Sequence, residues 1–202
     1  MKNIFILGLF LLSFFTISAQ KIEQPKWSFT AEYGFSSLDG DGDSSIQPAY
    51  GTSVEYSFLP FAGLALDYYY FPLRGPAFQT NLNSTALNLS FNINRILFSK
   101  VEDKVILKGY IGYGIAGYTS RYISATSQSS GSTYNTAYSF PVLALSVEFY
   151  LSRLLSVGAK SHFRPFNVKN LEGDPRYNLD NVNNDNIVGA TVYLRIKIYS
   201  EN

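Results

Sequence analysis

Nine charged side chains draw attention by their place in the alternation of the chain: Glu32, Glu55, Asp67, Lys108, Glu148, Lys160, Arg164, Arg195 and Lys197. Each falls on the polar parity of a strand-like run, opposite a parity that is almost wholly aliphatic and aromatic. Successive side chains of a strand point to opposite faces, so all nine share the face turned away from the apolar one. Four acids and five bases in a narrow enclosure have the chemistry of a proton path or gate. They also have the chemistry of a plug, because a buried charge requires a partner, and the near balance of signs favours the plug.

Two other patterns carry chemistry at first sight. Asp39-Gly-Asp41-Gly-Asp43 has the alternate-carboxylate spacing with which hard cations are held on a tight turn. A calcium loop of the EF-hand type would need a bidentate Glu where Tyr50 stands, so the run reads as a solvated acidic turn and no metal site is assigned. Asp174, Asp180 and Asp185 add carboxylates further along with nothing to fix their geometry. His162 is the single histidine. A hydrolytic triad would need Ser and a carboxylate at its side, and no spacing singles out such a trio. The expectation is a chain without catalytic residues or a cofactor, and not an enzyme.

Composition narrows the classes further. Residues 1–19 read as a secretory signal, with Lys2 as the positive start, an apolar run from Ile4 to Ile17, and Ser18-Ala19 as a small-residue cleavage site. Residues 20–202 then form one barrel domain. Of sixteen Lys and Arg, removal of Lys2 leaves fifteen, against fifteen Asp and Glu, and this neutrality argues against nucleic acid as a partner. With no cysteine, disulfides, thiolate catalysis and lipid attachment through Cys are excluded.

The elements that must position the charges are eight strand-like runs. The first, over 27–37, sets Trp27, Phe29, Ala31, Tyr33 and Phe35 against Ser28, Thr30, Glu32 and Gly34. The second and third follow over 49–58 and 62–71 around a turn at Leu59-Pro60-Phe61, with a loop expected from Pro72 to Asn83. The fourth alternates Leu87, Leu89, Phe91 and Ile93 with Asn88, Ser90 and Asn92, and a moderate connection over 95–104 contains the odd apolar group Ile96-Leu97-Phe98. The fifth covers 105–118, a long loop is expected over Thr119 to Ala137, and the sixth covers 138–151. After a short turn at 152–154, the seventh carries Lys160, His162 and Arg164 inward, a loop spans Pro165 to Asn186, and the eighth ends the chain.

The connections therefore alternate long and short, as in a membrane barrel with brief turns at one end and extended loops at the other. A soluble barrel would place many Lys and Glu on each outer face, whereas the polar parity here is mostly Gly, Ala, Ser, Thr and Asn. Small residues with a few balanced charges suit the narrow inside of eight strands. Trp27, Phe58 and Phe149 gather at one end of the apolar face, and Phe35, Tyr50, Tyr70 and Phe163 at the other, as girdles at two headgroup layers require. The expected fold is all-β, an eight-stranded antiparallel up-and-down transmembrane β-barrel, exported and placed in the outer membrane among its lipids.

Gly109-Tyr-Ile-Gly-Tyr-Gly-Ile-Ala-Gly-Tyr118 and Pro141-Val-Leu-Ala-Leu-Ser-Val-Glu-Phe-Tyr150 resemble the small outer-membrane β-barrel domain family that includes OmpA-like, OmpX-like and OmpW-like proteins. The resemblance covers the architecture from residue 20 onward through loose motifs. Many members end on an aromatic residue, and here Tyr199 is followed by Ser-Glu-Asn. The expected role is structural or interactional, with envelope or external protein partners met by loops carrying Tyr122, Tyr134 and Tyr177. The resemblance to OmpW-like members implies the alternative, a narrow porin-like conduit for small molecules, hydrophobic or not.

Overall fold

The computed structural model describes residues 25–39, 45–75, 78–97, 104–122, 133–166 and 185–199. Eight strands form one closed antiparallel barrel in sequence order: β1 (Trp27–Asp39), β2 (Gln47–Leu59), β3 (Ala62–Arg74), β4 (Phe78–Asn92), β5 (Val105–Tyr122), β6 (Thr133–Tyr150), β7 (Leu155–Pro165) and β8 (Asn186–Ile198). The two-residue period is visible in burial, which alternates without a break along β1. Trp27 pairs with Ile198, so the first and last strands close the wall and share one end, called here the terminal end.

Following one row of partners around the wall leads from Trp27 through Tyr56, Leu64, Leu89, Ile111, Leu143, Phe163 and Val188 to Ser37, a stagger of ten residues. With eight strands that stagger corresponds to a strand tilt of about 40°. The outward parity is an apolar belt, with Ile115 65 %, Val192 63 % and Leu145 60 % exposed in the isolated molecule. A continuous belt of this size is unstable against water and matches lipid. Among the described residues no helix is long and apolar enough to cross a membrane. Tyr33, Tyr50 and Tyr70 form a ladder of outward rings with centroids 5.4 and 6.4 Å apart.

The expected loop over Pro72 to Asn83 is instead a tight hairpin. β3 runs through Arg74, β4 starts at Phe78, and the Gly75 N–H donates to the Phe78 carbonyl at 3.1 Å. Pairing persists because Phe71, Leu73, Phe78 and Leu82 all point inward and bury one another, while Pro72 lies near the rim, where a missing donor costs little. Strand structure also extends into the expected loop between Thr119 and Ala137, leaving residues 123–132 between β5 and β6. Of the apolar group Ile96-Leu97-Phe98, Phe98 lies outside the described residues, and Ile96 and Leu97 lie at the terminal end on a short helix, α1 (Ile93–Leu97), whose Arg95 N–H donates to the Asn92 Oδ1 at 3.2 Å. Ile96 and Leu97 are exposed there, beside the belt. Residues 1–19, expected to be a secretory signal, lie outside the described residues.

Candidate functional site

The nine charged residues all project into the lumen, and strand position sorts them by height. Nearest the terminal end, Glu55 and Glu148 lie under Arg195, whose Nη1 is 3.1 Å from Glu55 Oε2 and 2.9 Å from Glu148 Oε2. Lys108 closes on Glu55 at 2.8 Å and Lys197 on Glu148 at 2.7 Å. Ser90 and Ser156 hydroxyls donate to the same two carboxylates, each at 2.8 Å. Arg195 spends its other donors on Thr30 Oγ1 at 3.1 Å and the Tyr110 hydroxyl at 3.2 Å. Five charges on four strands thus form one layer across the lumen.

A second layer lies above it. Lys160 Nζ sits 3.2 Å from Glu32 Oε1 and 3.0 Å from Asp67 Oδ2. Thr191 donates to Glu32 Oε2 at 2.9 Å, and the Tyr69 hydroxyl donates to the same oxygen. Arg164 completes the set differently. Its Nη1 donates to Ser84 Oγ at 2.6 Å, and its guanidinium lies 4.1 Å from the Tyr69 ring centroid and 5.0 Å from that of Phe71.

Toward the loop end the lumen changes character. Leu38, Phe71, Leu73, Phe78, Leu82, Phe140, Val142, Phe166 and Ile187 form a buried apolar cluster, with Phe140 and Phe166 rings stacked at 4.4 Å. Large side chains fit because glycine stands opposite them. Gly51 is paired with Tyr69, Gly114 with Phe140, Gly158 with Tyr193 and Gly189 with His162. A Cβ on Gly51 would stand 2.6 Å from the Tyr69 ring, and one on Gly114 would stand 2.8 Å from Phe140. The apolar plug was not read from sequence, although inward glycine facing an inward ring on the next strand is its available signal.

His162 belongs to this packing. Its ring lies 5.3 Å from Tyr69 and 5.6 Å from Phe71, and neither ring nitrogen has a hydrogen-bond partner among the described residues. The Ser and carboxylate that a triad requires are therefore not brought to it. Asp39 ends β1, while Asp41 and Asp43 lie outside the described residues, as do Asp174 and Asp180. Asp185 is buried, its carbonyl accepting from the Phe166 N–H at 2.9 Å. Among the described residues no group of His, Cys, Asp and Glu is placed to hold a metal ion. Tyr122 and Tyr134 belong to β5 and β6, and Tyr177 lies outside the described residues.

No protein-family model and no curated protein sequence matches the chain. Solved structures do. Neisserial surface protein A superposes with a TM-score of 0.60 at 13% identity, covering 86% of this chain and 97% of the other. A major outer membrane protein from Thermus thermophilus gives 0.54 at 10% identity, covering 84% and 99%. The outer membrane protein OprG from Pseudomonas aeruginosa gives 0.52 at 11% identity, covering 90% and 100%. At such identities the likeness lies in the fold. The chain folds as a small eight-stranded outer-membrane β-barrel.

Proposed function

We propose that this barrel serves as a non-enzymatic structural and interaction protein of the outer membrane, acting at its loop end while its lumen stays closed. One asymmetry of the wall carries the reading. β5 and β6 remain paired from Val105↔Phe149 to Arg121↔Thr133, but β6 pairs with β7 only from Leu143 to Tyr150. Residues 133–142 of β6 therefore have no described strand on their β7 side. A membrane-crossing strand needs about 9–11 residues, and β5 and β6 have 18 each, so this hairpin continues well past the belt. A projecting strand with no described neighbour on one side suits an extended segment of a partner protein. Pro141 is compatible with such an edge.

The test shortens the hairpin while keeping all eight strands in the wall. Ala116 and Tyr138 are direct partners, so removing residues 117–137 and joining the strands through an Asn-Gly turn preserves the β5–β6 ladder beneath and the β4–β5 ladder from Ser84 to Asn92, while Phe78 to Asn83 of β4 lose their β5 partners. The shortened protein should keep its heat-modifiable electrophoretic mobility while losing adhesion and its cross-linked complexes on intact cells. Unchanged adhesion and unchanged complexes would overturn the interaction reading. Reconstitution in planar bilayers addresses the conduit alternative: two ionic layers and an apolar plug should give no steady conductance, and reproducible openings would favour the OmpW-like reading instead.

A further inference from the structure

The apolar band of the outer wall is uneven in height. On β5 the outward parity stays apolar or aromatic from Val105 through Leu107 and Ile111 to Ile115. At about 2.5 Å of height per residue in a wall of this tilt, that run spans about 25 Å, the height of an outer-membrane apolar band. On its neighbour β4 the outward apolar residues are Leu87, Leu89 and Phe91, which cover only about 10 Å, because Asn81, Asn83 and Thr85 above them are polar. Nor does β4 reach the foot of the band at the terminal end. It stops at Asn92, opposite Lys108, while β5 continues to Val105.

The short helix α1 lies at that gap. Asn94 clamps it to the start of β5, its amide donating to the Val105 carbonyl at 3.3 Å and its Oδ1 accepting from the Leu107 N–H at 2.7 Å. Ile93, Ile96 and Leu97, at i, i+3 and i+4, share one face of the turn. This face is on the lipid side of the wall, since a Cβ on the outward Gly109 would stand 3.7 Å from Ile93 Cδ1. Ile96 and Leu97 are 54 % and 67 % exposed in the isolated molecule. Leu59, Phe61, Leu151 and Leu154 are also exposed at the other two turns of the terminal end, where polar side chains are the rule for a turn in water.

We propose that α1 is an interfacial foot whose Ile93, Ile96 and Leu97 face lies among the phospholipid acyl chains of the leaflet at the terminal end and completes the apolar band beneath β4. Acyl chains are the occupant because the face is continuous with a belt that already meets them, and because the band is short at this one place. A helical turn suits the task, since its backbone bonds are largely internal and it can leave the ladder at Asn92 without exposing a strand edge to lipid. The foot rests on the placement of the barrel in the membrane and is independent of the loop-end interaction.

Trp27 is the single tryptophan, so Trp27→Phe gives a silent background in which one new tryptophan reports its own depth. In that background Leu97→Trp is refolded into phosphatidylcholine vesicles with and without brominated acyl chains, and its fluorescence is read against acrylamide in the water. Leu97→Trp should lose most of its emission to the brominated chains and little to acrylamide, as Trp27 of the parent chain should. Gln79→Trp, at the opposite end of β4, should show the reverse. Quenching of Leu97→Trp by acrylamide alone would put the foot in water and overturn the proposal. Protection from both quenchers would overturn it too, by showing the face covered by protein, whether the rest of this chain or a second copy. Quenching of Gln79→Trp by the brominated chains would remove the gap that the foot is inferred to fill. Should Leu97→Trp fail to give a heat-modifiable barrel, Ile96→Trp on the same face decides the question by the same readings.

Discussion

The two halves of the lumen solve one packing problem with opposite chemistry. At the terminal end, Glu55, Glu148, Lys108, Arg195 and Lys197 fill the cross-section with ion pairs of 2.7 to 3.1 Å. At the loop end, Phe71, Leu73, Phe78, Leu82, Phe140 and Phe166 fill it with rings and branched side chains. Charges in such a space depend on one another completely, because removal of one partner strands the others in a medium that cannot solvate them. Apolar groups depend only on volume. The ionic half is therefore specific and brittle, and the apolar half tolerant and dry.

Arg195→Met should do the most damage, since Glu55 and Glu148 lose the cation they share. A loss of about 3–5 kcal/mol is expected from urea titration of the heat-modifiable folded band. A loss under about 1 kcal/mol would erase the contrast, because the layer would then be solvated rather than mutually dependent. Phe140→Ala should cost about 3 kcal/mol by leaving a cavity beside Phe166, and Phe140→Leu should recover much of it. Gly51→Ala probes where the halves join. The new methyl group would displace Tyr69 from Glu32, costing about 1–3 kcal/mol. Arg121→Gln, outward at the rim, should change stability by less than about 0.5 kcal/mol and serves as the baseline.

Much of this architecture was legible in the alternation. A period of two reports which face a side chain takes, so the strand count, the apolar belt and the inward placement of Glu32 or Arg195 followed from sequence. Parity says nothing about height, however. Which acid meets which base depends on the ten-residue stagger, a property of the closed wall that no single strand contains. The apolar plug was obscured for another reason. Pro72 and the polar run Thr80-Asn81 looked like loop signals, and they outweighed the inward parity of Phe71, Leu73 and Leu82. The β3–β4 rim is consequently a ladder where a loop was expected. Its legible trace was the pairing of small with large, Gly51 with Tyr69 and Gly114 with Phe140.

The seam between β1 and β8 has a consequence for assembly. The other seven junctions join neighbours in sequence and can zip locally, but Trp27 must find Ile198 across nearly the whole chain. Closing so long a loop carries a large entropic cost before any contact repays it, which makes this junction the natural last step. Thr191 meets Glu32 across 159 residues and Arg195 meets Thr30 across 165, so these contacts also wait for the seam. Until then, Glu55 and Glu148 lack Arg195, and the unfinished sheet presents two open edges. The ionic half thus acts as a latch on ring closure, rewarding the arrival of β8 in the one register that brings Arg195 between its two carboxylates.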